Sequence, residues 1–243
     1  MSQTKVPSHA LQDASFPQTR WSLILNAQED DPAALAELCR AYWYPLYCFA
    51  RRMVPDTEDA RDLTQAYFEQ LLKKETFKCA REERGRLRTF LVAGLRNFSI
   101  AQHRKANAQI RGSGQALIEI DAMEAEQRYQ VEPRDELSPE REFDRVWARQ
   151  LLDTVLRKLE SVYAKAGKGA IFNSLQDHLI TGESRDYPAI SAQLGISPAR
   201  VRLTAFKLRE RYRELLRAAI RETVSSAAEV EDELNHLRGL FGR

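Results

Sequence analysis

Apolar residues recur along the chain at intervals of three and four, and no run of four or more residues alternates polar with β-branched positions. That period selects helices and predicts an all-α fold. The first predicted helix follows Asp31-Pro32, an N-cap with proline in the first turn. Its stripe is Leu35, Leu38, Tyr42, Leu46, Phe49 and Met53, and Pro45 is expected to kink it. After a break at Val54-Pro55, a second helix starts at Asp56 or Thr57 and runs to about residue 74, with Leu63, Tyr67 and Leu71 on one face. A third, from about residue 84 to 105, carries Leu87, Phe90, Leu91, Gly94, Leu95 and Phe98. Facing stripes on three helices predict an N-terminal bundle.

From residue 107 to about 144 the periodicity fails. Residues 119–144 hold ten acids against Arg128, Arg134 and Arg141, a net −7, which reads as a solvated acidic linker. Helical patterning returns after Ser138-Pro139, with Phe143, Val146, Trp147, Leu151, Leu152, Val155, Leu159 and Val162 on one side. Gly167 to Gly169 ends that helix, and a shorter one bears Ile171, Phe172, Leu175 and Leu179. The pattern thus predicts two helical domains on a charged tether. Beyond Arg221, the residues Val230, Leu234, Leu237 and Leu240 predict an amphipathic helix that either completes the second domain's core or engages a regulator.

Composition narrows the class. With 243 residues, 43% hydrophobic, 30% charged and a mean hydropathy of −0.51, the chain has the make-up of a soluble globular protein. No apolar run approaches the roughly 18 residues of a membrane span, and residues 1–18 lack an export signal, so a cytoplasmic address without a membrane partner is expected. A net charge of +2 calls for no polyanion overall, so any such partner must be met by local clusters. Cys39, Cys48 and Cys79 have no C-x-x-C spacing and read as buried reduced thiols. His9, His103, His178 and His236 are scattered, and the one E-x-x-H, Glu233 to His236, lacks the second copy a di-iron bundle needs. Without a glycine-rich phosphate loop, a G-x-S-x-G or a paired-cysteine zinc pattern, the expectation is a protein that is not an enzyme and uses no cofactor.

Three constellations carry chemistry. Residues 186–209 read as a helix-turn-helix: a short helix with Ile190 and Leu194, Gly195 for a left-handed stop, and Ser197-Pro198 capping a second helix. Val201, Ala205, Leu208 and Tyr212 form that helix's inner stripe and leave Arg200, Arg202, Thr204, Lys207, Arg209 and Arg211 outward. Residues 198–217 hold seven bases against Glu210 and Glu214, which suits a major groove. Residues 85–111 hold no acid and six bases, Arg86, Arg88, Arg96, Arg104, Lys105 and Arg111, interleaved with Phe90, Asn97 and Phe98. Cations, amides and rings in this mixture bind an unpaired strand by phosphate neutralisation and stacking, although Phe90 and Phe98 also fit the core stripe. Third, Asp59 and Asp62 lie on adjacent turns of one face, with no His or Cys to complete a metal site, and fit docking on a basic protein partner.

These elements, in this order, resemble a bacterial RNA polymerase sigma factor of the extracytoplasmic-function type, built from a sigma-2 and a sigma-4 domain. Asp59-Ala60-x-Asp62-Leu63-x-Gln65-x-x-Phe68 is similar to the family's D-A-x-D-L-x-Q-x-x-F helix, and Phe90-Leu91, Asn97 and Arg104 resemble the W-L, N and R of its promoter-melting helix. Phe90 replaces the usual tryptophan and Ala101 a common aspartate. The resemblance implies a sigma-2-like domain at 17–106, an acidic linker at 107–139 lying in the polymerase RNA-exit path, a sigma-4-like domain at 140–220 and a tail at 221–243. It further implies docking on core RNA polymerase, at the β′ coiled coil and the β flap, with Asp59, Asp62, Leu63, Gln65, Phe68 and Glu69 on the docking face. Arg86, Arg88, Phe90, Arg96, Asn97, Arg104 and Lys105 would meet the −10 promoter DNA. Ser197, Arg200, Arg202, Thr204, Lys207 and Arg209 would meet the −35 element. Since no sensor domain is recognisable, control would fall to an anti-sigma partner, modification, expression level or the tail. The alternative is a stand-alone helix-turn-helix regulator that does not bind polymerase.

Overall fold

Asp31 opens the first helix, its carboxylate accepting the Ala33 N–H at 2.9 Å with Pro32 in the first turn. In this computed structural model the described residues are 31–72, 86–106, 122–131, 138–180, 187–224 and 226–241, with Ile24, Asn26, Ala27 and Glu29 before them. Among them every regular element is a helix. They are α1 (Pro32–Met53), α2 (Thr57–Leu72), α3 (Leu87–Ala106), α4 (Ala122–Val131), α5 (Pro139–Lys165), α6 (Gly169–Leu175), α7 (Asp177–Ile180), α8 (Tyr187–Leu194), α9 (Pro198–Arg221) and α10 (Glu229–Phe241). None is long and apolar enough to cross a membrane. The all-α expectation therefore holds for the described residues.

The predicted stripes are the buried ones. Leu38, Tyr42, Leu46 and Phe49 of α1, Tyr67 and Leu71 of α2, and Leu87, Leu91 and Leu95 of α3 share one core. Pro45 lies inside α1 and is itself buried there. Cys39 and Cys48 are free and buried, and burial lifts the Cys39 thiol to about 11, so it stays protonated; Cys79 falls outside the described residues. Gly94 is needed where α3 crosses α2. A Cβ at that position would collide with the Tyr67 hydroxyl, which donates to the Leu91 carbonyl at 2.9 Å.

Two features depart from the sequence expectation. Within the acidic stretch, α4 is a packed helix, with Ala125 and Tyr129 buried in the first core. Its Glu126 accepts from Tyr47 and from Arg51 Nε (3.1 Å), and Arg128 stacks over Tyr44 at 4.2 Å. Although burial opposes its charge, hydrogen bonds from Tyr47, Arg51 and Gln130 hold the Glu126 carboxyl below the usual glutamate value. Residues 107–121 and 132–137 of that stretch lie outside the described residues.

The second departure is in how the long helices are shared. On α5, Phe143, Val146, Trp147, Ala148 and Leu151 belong to the first core, while Val155 and Leu159 join Phe172, Leu175, Val201, Ala205 and Leu208 in a second. On α9, Val201, Ala205, Leu208 and Leu215 line the second core and Ile220 enters the first. Val224 and the Val230, Leu234 and Leu237 stripe of α10 close that first core. The C-terminal helix thus packs with the N-terminal bundle, and the connection between the cores is two continuous helices.

Candidate nucleic-acid interface

The helix-turn-helix forms as its capping residues dictate. Gly195 adopts φ 63°, the left-handed region glycine enters without strain. The Ile196 N–H returns to the Ser191 carbonyl at 3.2 Å and the Ser191 hydroxyl donates to the Ile196 carbonyl at 2.5 Å, which fixes the turn. Ser197 then caps α9 by accepting the Arg200 N–H at 3.4 Å. This gives Ser197 a structural role beside the DNA contact expected of it.

Val201, Ala205 and Leu208 point into the second core, so α9 presents its opposite side to solvent. Ser197, Arg200, Arg202 and Lys207 are exposed and Thr204 and Arg209 half-buried, with the Thr204 hydroxyl turned back onto the Arg200 carbonyl at 2.7 Å. Arg200, Arg202, Lys207 and Arg209 make no ion pair with a described residue, whereas further along Arg211 pairs with Glu214 at 2.8 Å, Arg213 with Glu210 and Arg217 with Glu231. The available positive charge is therefore concentrated at the N-terminal half of α9. Between these cations stand Leu203 and Phe206, exposed at 53% and 55%. Sequence reading passed over them because it tallied charge. Their position was nonetheless legible, since both fall opposite Val201 and Leu208 on the helical wheel.

The basic segment on α3 looks different. Arg88, expected on DNA, is buried at 5%, with its Nε 3.0 Å from Asp144 of α5, a second ion pair to Glu233 of α10, and its guanidinium 4.8 Å above the Trp147 ring. Arg86 reaches the same Glu233 at 3.1 Å. Glu233 is fully buried between them, and His236 lies 3.1 Å from Asp144. Burial lowers the Arg88 pKa, with Asp144 opposing that fall. Arg96 is exposed and pairs with Glu140, its guanidinium 5.9 Å from Phe49. An absence of acids in the sequence window thus did not mean an absence of acids in space. The partners sit on helices 44 residues or more away in sequence, where no local signal announces them.

The remaining −10 candidates divide. Asn97 and Arg104 are exposed; Phe90 is half-buried against the core, and of Lys105 only the helical backbone is described. Phe90 and Asn97 line an open groove of about 370 Å³ between α2 and α3, with Tyr67, Gly94, Phe98 and Ala101.

On α2, Asp59 and Asp62 are exposed and lie on one side, with Arg61 between them bonded to Glu58 and 3.5 Å from Asp62. Leu63, Gln65 and Glu69 are half-buried, and Gln65 Nε2 donates to Glu69 Oε1 at 3.4 Å. Phe68, expected on the docking face, is 1% exposed and belongs to the first core, because α2 packs that side on α1 and α3. Among the described residues no group of three or more His, Cys, Asp or Glu is arranged to hold a metal.

Compared with family models, with curated proteins and with solved structures, the chain matches none.

Proposed function

We propose that this chain is a promoter-recognition subunit of bacterial RNA polymerase, a sigma factor of the extracytoplasmic-function kind. The observation that carries the reading is α9, a capped helix seated on an apolar core, with Arg200, Arg202 and Lys207 exposed at its start and in no ion pair with a described residue. A helix of about 10–12 Å diameter fits the major groove of B-DNA, where arginine reads guanine edges and lysine meets phosphate. Leu203 and Phe206 between those cations are the apolar kind of side chain that packs on thymine methyl groups. The exposed Asp59 and Asp62 of α2 form an acidic face for the polymerase. On α3, Asn97, Arg104 and the partly open ring of Phe90 face the −10 strand. The polymerase makes the bonds; the subunit supplies address and opening.

One observation favours a second reading. Arg86, Arg88 and Arg96 are each ion-paired with an acid of the same chain, as expected if α3 were structural and the protein a stand-alone helix-turn-helix regulator.

Run-off transcription with purified core polymerase on genomic promoter fragments separates the two. Specific transcripts made only when the protein is added support the sigma reading. DNA binding without transcripts or core binding supports the regulator. Charge reversal at Asp62 should weaken association with core polymerase and leave DNA binding through α9 unchanged.

A further inference from the structure

The contact between α3 and α10 is unusual for a surface meant to meet DNA, because a single fully buried carboxylate, Glu233, is ion-paired with two of the expected phosphate-binding cations at once. A carboxylate between two guanidinium groups occupies their charge as the oxygens of a backbone phosphate would. The helix that delivers it is slight. It is 13 residues long, and Val230, Leu234 and Leu237 are its buried apolar anchors, while Glu231, Asp232, Asn235, Arg238 and Phe241 are exposed. A helix of that length is marginal in water by itself. Its attachment therefore depends on the surface it covers. Asp144, 3.0 Å from Arg88, belongs to α5 and not to α10, so α10 supplies the acid for Arg86 and for the second side of Arg88 alone.

We propose that α10 is an autoinhibitory strap: Glu233 stands in for a nucleic-acid phosphate against Arg86 and Arg88, and α3 engages a promoter strand only when α10 lifts. The proposal rests on the reading of α3 as a DNA-facing helix. It makes the closed form a competition inside one molecule, in which the strap acts at the high effective concentration of a tethered ligand. Strand binding by the closed form is reduced by the fraction of time the strap is open. It also unites the two readings of α3, since the same cations are structural in the closed form and phosphate-binding in the open one.

Two measurements on the full chain test it. With core polymerase present, Glu233→Gln is expected to bind a 20-nucleotide single-stranded DNA at least tenfold more tightly than the unaltered chain. It should also do so with a steeper salt dependence, by about 1.4 in the log–log slope for two more phosphates neutralised. Hydrogen exchange on the unaltered chain is expected to show residues 229–241 losing at least tenfold protection when core polymerase and the single strand are added together. Unchanged affinity in a Glu233→Gln variant that melts cooperatively overturns the strap. So does undiminished α10 protection while specific transcripts are being made, an outcome that leaves the promoter-recognition reading standing. If the variant does not fold, the exchange measurement alone decides. Failure both to bind core polymerase and to make transcripts, by the unaltered chain and by Glu233→Gln alike, overturns the promoter-recognition reading itself, and the strap with it.

Discussion

The two basic helices of this chain, α3 and α9, differ in where their cations go. Arg86, just ahead of α3, and Arg88 and Arg96 on it are held by acids from α5 and α10, whereas at the start of α9, Arg200, Arg202 and Lys207 stand in solvent with no described acid in reach. Sequence charge was similar in both. What separates them is the neighbour each helix packs against: α3 lies beneath acid-bearing faces of two later helices, while α9 turns its inner side to an apolar core and leaves its outer side uncovered. A run of basic residues therefore states a capacity, and the tertiary neighbours decide whether it is used within the molecule or outside it.

The contrast predicts that substitutions on α3 act on stability and those on α9 on DNA binding. The largest effect is expected for Arg88→Ala, which strips a buried cation from Asp144 and Glu233 and should cost about 3–5 kcal/mol. Urea unfolding measures it, and a loss below about 1 kcal/mol would mean that the α3 ion pairs are as inconsequential as surface ones. Gly94→Ala is next. The new methyl must displace the buried Tyr67 ring, so despite alanine's better helix propensity a loss of about 1–3 kcal/mol in the same assay is expected.

On α9 the fold should be indifferent. Arg200→Ala is expected to leave the unfolding midpoint in place and to weaken DNA binding by about 1–3 kcal/mol with relaxed preference at one base pair, as read by binding to single-substituted duplexes. Equal weakening on every duplex would reassign Arg200 to phosphate. A smaller effect tests Leu203 and Phe206. Replacing thymine by deoxyuridine in the selected duplex removes only a methyl group, and should cost about 0.8 kcal/mol per contacted methyl for the unaltered chain and nothing for Phe206→Ala if that ring makes the contact.

The smallest effect is confined to acid. Glu126 is held below the ordinary glutamate value of 4.5 in the folded protein, so its stabilisation is fully present above that pH and is lost as pH falls through the lowered value. Glu126→Gln should flatten that part of the acid unfolding curve and leave the rest in place.

Local features were readable before any fold was known. The caps at Asp31, Ser138 and Ser197, the left-handed Gly195 and the stripes of α1, α2, α3 and α9 each depend on residues within a turn or two of one another, and the structure has them as predicted. What the pattern left open was partnership. The apolar side of α5 was visible from its spacing, but nothing in that spacing says that Trp147 meets the first core and Leu159 the second. Likewise Tyr129 lies among acids that mask the helical stripe of α4, and Glu126 finds Arg51 from 75 residues away. Phe68 and Arg88 were misplaced for the same reason. Their side chains read as surface on their own helices and are covered by others.

The seating of α10 has a consequence for how the protein is made. Residues 230–237 complete a core whose other walls come from Ile24, from residues 38–95, 125–129 and 143–151, and from Ile220 and Val224. A ribosome delivers the chain from its N-terminus at roughly 5–20 residues per second. The N-terminal bundle therefore waits several seconds to tens of seconds for its last apolar wall, while the second core, made from residues 155–215, has all its pieces earlier. The order of synthesis is thus the reverse of the order of closure, and the first core to begin is the last to be sealed.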